Sequence, residues 1–195
     1  MIVMAFQIRI AEPSDAHALA PIYQYYVDHT VVTMDCTAPN ATTFAYRMTQ
    51  NLTRYPYLIA ITEDNDVLGY AYAGAYSLRT GYDWSVELAI YVRHDDLTHG
   101  VGSALYDMMA KILTMQHVVN VSACITANNA RSLDFHTSRG FTQAAVFPHF
   151  AYKFSQWWDI IWLTKQLRAG NQALAAFVPF STLRQRPGFR LPKQP

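Results

Sequence analysis

Apolar and polar positions along the chain predict eleven regular elements. Segments with strand character lie at residues 6–10, 57–62, 67–76, 84–92, 119–125, 141–147 and 158–163. Apolar residues recur at helical spacing in residues 13–26, 42–54, 104–113 and 129–139. The resulting order βααβββαβαββ predicts an α/β (α+β) fold in which one mixed sheet carries helices on both faces.

Composition divides the chain into a body and a tail. The 195 residues are 51% hydrophobic and 15% charged, which excludes disorder of the whole chain and fits one domain. Residues 168–195 contain five basic residues, no acidic residue and four prolines, so the body carries the opposite, acidic excess. We therefore predict a domain at 1–167 and a basic, proline-containing extension at 168–195, either partly disordered or packed on a neighbouring subunit.

The same counts argue against several kinds of partner. An acidic body disfavours nucleic-acid binding, which needs clustered lysine and arginine. Two cysteines, Cys36 and Cys124, are too few for a disulfide framework and fit a reducing cytoplasm. No apolar run approaches the roughly 18 residues that span a bilayer, so no membrane partner is expected. The histidines and aspartates of residues 94–99 have metal-ligand types, but their spacing favours a solvated loop, and no metal is expected.

A glycine loop lies between the strand at 84–92 and the following helix. Gly100 and Gly102 stand where a helix N-terminus exposes unpaired N–H groups, an arrangement suited to phosphate. The triplet Gly-Lys-Ser/Thr of a nucleotide triphosphate loop is absent, and Leu105 occupies the third glycine position of the dinucleotide fingerprint. An ordinary helix cap after a tight turn would show the same two glycines.

Glu87 lies within the apolar strand that precedes this loop. Burial disfavours its charged form and raises its pKa, as a base working near neutral pH requires. A solvated face of an edge strand, or pairing with an arginine, would also accommodate a glutamate.

The pattern of residues 97–102 resembles the pyrophosphate loop of the GNAT acyltransferases, Gln/Arg-x-x-Gly-x-Gly/Ala, with Leu97 in place of Gln or Arg. Further segments resemble the phosphinothricin (methionine sulfoximine) N-acetyltransferase branch of that family. They are Arg79-Thr80-Gly81-Tyr82, Glu87 to Val92, Asn129-Ala130-Arg131-Ser132, His136 with Gly140-Phe141, and Lys153 to Asp159. Thr137 replaces a glutamate of the family pattern, and Ser155 replaces a glycine. The resemblance covers residues 7–167 and implies a mostly antiparallel sheet and a homodimer.

The resemblance also implies roles for individual residues. Acetyl-CoA would be the co-substrate, bound by the backbone of Ile90, Tyr91 and Val92, by the loop residues Thr98, His99, Gly100, Val101, Gly102 and Ser103, and by Asn129 and Ser132. Glu87 would take the proton of the attacking ammonium, through water. His136 would be the general acid for the departing thiolate, with an ordinary helix-face histidine as the alternative.

A small amino-acid-like amine is the acceptor that the resemblance implies. Arg79 is the candidate for binding its carboxylate, since a guanidinium can form two parallel hydrogen bonds. Tyr82 and Asp35 are further candidates for the acceptor site. Another amine, such as a polyamine or a peptide N-terminus, and a non-catalytic acyl-CoA-binding regulatory module remain alternatives.

Overall fold

The computed structural model describes residues 6–95, 98–168 and 175–192. The strands are β1 Phe6–Ile10, β2 Tyr57–Thr62, β3 Val67–Ala75, β4 Ser85–Val92, β5 Asn120–Thr126, β6 Thr142–Lys153 and β7 Gln156–Gln166. The helices are α1 Ala16–His29, α2 Ala41–Leu52, α3 Val101–Met115, α4 Ala130–Thr137 and α5 Phe180–Arg184. The predicted order is confirmed, with the short helix α5 added at its end.

The strands form one seven-stranded sheet in the order β1-β2-β3-β4-β5-β7-β6. Among the described residues β4 and β5 are the parallel pair, and all other neighbours are antiparallel. Helix α3 packs with one face of the sheet in a core that includes Val86 and Leu88. Helices α1 and α2 pack with the other face, where Ala89 and Tyr91 point. The mixed, mostly antiparallel sheet with helices on both faces is therefore confirmed.

Alternation along β4 places Glu87 on the α1–α2 face. Val86 and Leu88 belong to the core under α3, and side chains of a strand point to opposite faces in turn. Glu87 shares its face with Ala89, which packs against the core under α1 and α2. The sheet thus presents the carboxylate on the side away from α3.

The hairpin of β6 and β7 is longer than the sequence pattern predicts. Pro148 and the dense run of aromatic residues obscure the alternation, and the pairing shifts register between Phe147 and Ala151. Phe154 and Ser155 form the two-residue turn with φ angles of 52° and 58°. Positive φ at both central positions is the geometry that favours glycine, which explains why the related motif has glycine where Ser155 stands.

The described part of the extension, residues 175–192, packs against its own domain. Val178, Phe180 and Leu183 are buried in the core under α3. The Gln116 amide nitrogen donates to the carbonyl oxygens of Arg54 (2.7 Å) and Val178 (2.8 Å), and joins the segment to the ends of α2 and α3. These residues are thus ordered on their own domain rather than a disordered tail, because their apolar side chains extend the core under α3, and packing on a neighbouring subunit stays a prediction.

Within the described ranges, no helix combines the length and the apolar character that crossing a membrane requires.

Candidate active site

Strands β4 and β5 diverge at the centre of the sheet and leave a gap between them. The two strands pair only where residues 85–87 face residues 120–122. Beyond this point β4 continues to Val92 and β5 continues to Thr126 without further pairing. The facing backbone groups in the gap are free of sheet hydrogen bonds to the other strand, so an extended ligand with hydrogen-bonding groups can bind there.

The start of α3 lies beyond the β4 end of this gap. Gly100 caps the helix with a φ of 87°, a left-handed conformation that glycine adopts at little cost. The first helical bond runs from the Ala104 amide to the Gly100 carbonyl at 2.9 Å. The N–H groups of residues 101–103 therefore have no helical acceptor, and with the helix dipole they favour an anion.

Gly102 leaves space on this first turn. A Cβ atom built there would lie 3.7 Å from the nearest atoms, on Phe135 and Val92. The surrounding protein therefore does not require glycine at this position. Of the other loop residues, His99 is exposed and Thr98 is half-buried, while Leu97 lies outside the described residues.

Arg139 brings a cation to the same turn, and sequence analysis missed it. Its Nη2 donates to Ser103 Oγ at 2.6 Å, and its guanidinium lies 3.7 Å from the centre of the Phe135 ring. The sequence contained no signal for this role, because the residue follows α4 and reads as part of its C-terminus. Arg139 thus places a positive charge beside the first turn of α3.

Glu87 is half-buried next to the paired part of the gap. It lies opposite Gly74 on β3 and Ser122 on β5, and no described residue forms a hydrogen bond or ion pair with its carboxylate. Burial raises the pKa of Glu87 above its ordinary value. A Cβ atom at Gly74 would meet nothing within 4 Å, so there is open space beside the carboxylate. An unpaired carboxylate with a raised pKa and open space in front of it can act as a proton acceptor.

The charge of this carboxylate affects the pKa of two other side chains. Partial desolvation, together with the charge of Glu87, raises the pKa of the Cys124 thiol to about 11. Burial, with a smaller contribution from Glu87, raises the pKa of Tyr72. Cys124 is therefore a protonated thiol at neutral pH, as expected for a residue without a role as a nucleophile.

His136 is buried on α4 and packs edge-on against Phe135 and Phe141. Its Nδ1 lies 2.8 Å from the Ser132 carbonyl oxygen, which makes Nδ1–H the donor and leaves Nε2 without a proton in the neutral ring. Nε2 is buried and has no partner among the described residues. Burial lowers the pKa of His136 and favours this neutral form. Phe141 belongs to the core under α3, whereas Glu87 lies on the other face of the sheet.

Asn129 and Ser132 are joined at the start of α4. The Asn129 side-chain oxygen accepts from the Ser132 amide at 3.2 Å, so Asn129 caps the helix. Ser132 Oγ lies 3.4 Å from His136 Nδ1. Within the described ranges, no hydrogen bond engages the side-chain amide nitrogen of Asn129.

The β3–β4 loop carries Arg79 and Tyr82 at the surface. Arg79 is exposed, and the Tyr82 ring lies 5.6 Å from that of Tyr76. Tyr76 and Tyr82 line a cavity of about 820 Å³ with Ser122 and Trp162, while Arg79 is not among its lining residues. Ser122 is the register partner of Glu87, so the cavity reaches the residue beside Glu87, although Glu87 itself is not among the lining residues.

Asp35 lies on the α1–α2 side and is engaged by two neighbours. Tyr23 donates its hydroxyl to Asp35 Oδ2 at 2.8 Å, and Arg47 Nη1 lies 3.4 Å from the same oxygen. Sequence analysis singled out Asp35 but missed Arg47, whose place on a polar helix face resembled an ordinary solvated position.

The described residues contain no group of three or more histidine, cysteine, aspartate or glutamate side chains arranged to hold a metal ion.

Comparisons with known proteins identify relatives that are acetyltransferases. Residues 8–162 match the family model described as the acetyltransferase (GNAT) domain. A phosphinothricin N-acetyltransferase of Streptomyces viridochromogenes is 31% identical over 79% of this chain and 84% of its own length. An L-methionine sulfoximine/L-methionine sulfone acetyltransferase of Salmonella typhimurium is 31% identical over 82% of this chain and 94% of its own length.

Solved structures agree in fold. The phosphinothricin acetyltransferase of Sinorhizobium meliloti in complex with acetyl-CoA superposes with a TM-score of 0.85 at 27% identity, and the alignment covers 92% of this chain and 98% of that one. An acetyltransferase of Salmonella typhimurium with acetyl-CoA gives a TM-score of 0.80 at 29% identity, over 88% of this chain and 99% of that one.

The gap between parallel strands, the anion-binding helix start and these matches define an acetyltransferase. The chain belongs to the GNAT family and is an acetyl-CoA-dependent N-acetyltransferase.

Proposed function

We propose that this enzyme transfers the acetyl group of acetyl-CoA to the amine of a small amino-acid-like substrate, of the phosphinothricin or methionine sulfoximine type, with Glu87 as the general base. The observation that carries the proposal is an unpaired, half-buried carboxylate of raised pKa beside open space at Gly74. The substrate names of the relatives supply the acceptor class.

Acetyl-CoA supplies the thioester carbonyl that the amine attacks, and the residues of the β4–β5 gap and of the α3 start fit its shape. The free N–H groups of residues 101–103 and the Arg139 guanidinium suit its diphosphate, together with Thr98 and His99 of the loop. The backbone of residues 90–92 suits its carbonyl and its pantetheine arm, with Asn129 and Ser132 on the other side of the gap.

Glu87 prepares the amine for attack by accepting a proton from the bound ammonium, directly or through one water. A carboxylate that is shielded from water holds that proton more readily, because burial raises its pKa. His136 is predicted to donate a proton to the leaving thiolate, and this role stays a prediction. Since the neutral ring carries its proton on Nδ1, this role would require a second proton on Nε2.

Arg79, Tyr82 and Asp35 stay candidates for the acceptor site. Tyr82 borders the 820 Å³ cavity next to the register partner of Glu87. Arg79, in the same loop, can approach an acceptor carboxylate from solvent.

Release of free thiol from acetyl-CoA tests the proposal, with L-phosphinothricin, L-methionine sulfoximine, a polyamine and a peptide N-terminus as acceptors. The two amino-acid-like acceptors should react fastest, and Glu87→Gln should lower kcat at pH 7 by about 100-fold or more. Acetyl-CoA that binds without release by any amine would establish a non-catalytic acyl-CoA-binding module. A Glu87→Gln variant that matches wild type across pH would remove Glu87 from its role and leave the activity intact.

We also propose that the enzyme is a homodimer and that its second copy covers the outer part of the β6–β7 hairpin. Phe150, Tyr152, Phe154 and Trp157 are each more than half exposed there, a denser aromatic patch than monomers usually present. Two free cysteines support a reducing, cytoplasmic compartment. The composition shift supports an extension that begins after residue 167, and its residues 175–192 pack on the domain instead of forming a separate unit.

A further inference from the structure

A second, smaller cavity lies on the α1–α2 face of the sheet. Its volume is about 110 Å³, and its polar lining consists of Tyr23, Arg47, Asn51, Tyr57, Tyr70 and Tyr72. We call this cavity the polar pocket. At about 30 Å³ per water molecule, it has room for three or four waters or for the charged end of a small ligand.

Two buried polar atoms in the lining have no partner among the described residues. They are the hydroxyl of Tyr70, a side chain with 0% exposure, and the side-chain oxygen of Asn51. The Asn51 amide nitrogen is engaged, since it donates to the Ala73 carbonyl at 2.7 Å. Buried polar atoms without partners are costly, so the polar pocket is suited to an occupant that forms hydrogen bonds.

Arg47 supplies the charge of the polar pocket. Within the described residues its side chain makes a single hydrogen bond, at 3.4 Å to an Asp35 oxygen that already accepts from Tyr23. The Arg47 side chain is 57% exposed, so its remaining guanidinium donors can be reached from solvent. Free donors of this kind suit a carboxylate.

The polar pocket adjoins Glu87. Asn51 binds the carbonyl of Ala73, and the next residue on β3, Gly74, lies opposite Glu87. Arg47 and Asn51 are four residues apart on α2, so they occupy one face about 5–6 Å apart at their Cβ atoms. The charges of Glu87 and Arg47 both act on the Tyr72 ring between them, where Glu87 raises the pKa and Arg47 lowers it, against a larger upward effect of burial.

We propose that Arg47 and Asn51 recognise the two ends of an α-amino acid acceptor. Arg47, with the Tyr70 hydroxyl, binds the carboxylate, and the Asn51 side-chain oxygen accepts from the amine beside Glu87. The inference rests on the proposed acetyl transfer and specifies its acceptor as a free amino acid whose carboxylate enters the polar pocket. It assigns to Arg47 the role for which Arg79 is the candidate from sequence.

Paired acceptors with and without a carboxylate test this assignment. The pair is L-methionine sulfone and its decarboxylated counterpart, 3-(methylsulfonyl)propylamine, measured by thiol release for wild type, Arg47→Gln, Arg47→Lys and Arg79→Gln. The ratio of kcat/KM for the amino acid to that for the amine should fall about 10- to 100-fold in Arg47→Gln, and Arg47→Lys should restore part of it. Asn51→Leu should lower kcat/KM for both acceptors, because both carry the amine.

An Arg47→Gln ratio within twofold of wild type would overturn the inference, as would a collapse of the ratio in Arg79→Gln alone. Failure of wild type to bind or acetylate L-methionine sulfone would overturn it too. These results differ from failure of the proposed function, in which no amine releases thiol. Acetyl-CoA affinity, measured by calorimetry for each variant, separates a lost acceptor contact from a damaged fold.

Discussion

At the scale of single residues, Glu87 combines a chemical role with a cost to stability. Its pKa is higher in the folded chain than the ordinary value of 4.5. Below that value the carboxyl is protonated in both states and has no effect on pH dependence. As the pH rises between 4.5 and the folded pKa, the unfolded chain ionises first, so stability falls, and above the folded pKa the loss is constant.

Glu87→Gln should therefore raise the melting temperature at pH 7.5 and change it little near pH 4, because glutamine removes the charge that folding disfavours. The direction of this change follows from the raised pKa of Glu87 in the folded chain. Thermal melts at both pH values measure it, with Glu63→Gln on the exposed surface as the matched control. An equal shift at both pH values, or a shift shared by the control, would contradict the explanation.

A residue's role can be predicted from the sequence when that role depends on its position within its own strand or helix. Glu87 is identifiable because a charge within an apolar strand is unusual, and Gly100 because a helix starts after it. Arg47 and Arg139 were missed because their roles arise from tertiary packing: α2 places one beside Tyr72, and α4 places the other beside Ser103. A single sequence contains no signal that distinguishes these arginines from ordinary surface ones.

At the scale of elements, Gly100 and Gly102 look alike in the sequence but have different backbone roles at the start of α3. Gly100 has a φ of 87°, while Gly102 lies inside the first turn of the helix. Gly100→Ala forces a Cβ into the left-handed region, and we expect a loss of about 1–2 kcal/mol. Gly102→Ala should be neutral or stabilising, because its Cβ meets no atom closer than 3.7 Å and alanine favours a helix.

Urea unfolding of the two variants measures this difference. Gly100→Ala should also weaken acetyl-CoA binding, since the N–H groups of residues 101–103 depend on the cap for their direction. Equal free energies of unfolding for the two variants would show that the positive φ is not needed at position 100.

The C-terminal segment shows where composition misleads. Its prolines and basic residues favour a disordered appendage, but its few apolar residues meet the core under α3. The difference arises because composition averages over the segment, whereas packing depends on Val178, Phe180 and Leu183 alone. For the same reason, the exposed aromatics of β6 and β7 obscured the true length of that hairpin.

Phe180→Ala should destabilise the protein by about 3–5 kcal/mol, because the ring is fully buried and its removal leaves a cavity. Tyr46→Ala, at an exposed position on α2 and outside the proposed dimer contact, is the matched control and should cost far less. Chemical denaturation of both variants gives the comparison. If Phe180→Ala unfolds like wild type, residues 175–192 do not contribute to the stability of the domain.

At the scale of the whole molecule, helices cover only half of one face of the sheet. Helices α1 and α2 cover the face of β2, β3 and β4, while the same face of β5, β7 and β6 borders the 820 Å³ cavity. The aromatic hairpin extends from this uncovered part, so a second copy that packs on the hairpin would also lie close to the 820 Å³ cavity and to Tyr82. The proposed dimer thus connects assembly with substrate binding.

Trp157→Glu should shift the enzyme from dimer to monomer, because a charge in an apolar contact must lose its hydration without gaining a partner. Sedimentation measures the change, and Tyr46→Glu is the control, since Tyr46 is 64% exposed on α2 and does not belong to the hairpin. KM for the acceptor should rise in the Trp157→Glu monomer while affinity for acetyl-CoA stays near that of wild type, because Phe147 and Phe150 of the hairpin line the cavity, whereas the N–H groups that suit the diphosphate belong to the start of α3. A Trp157→Glu protein that sediments like wild type would place the interface elsewhere, and a monomer with an unchanged KM would separate assembly from the acceptor site.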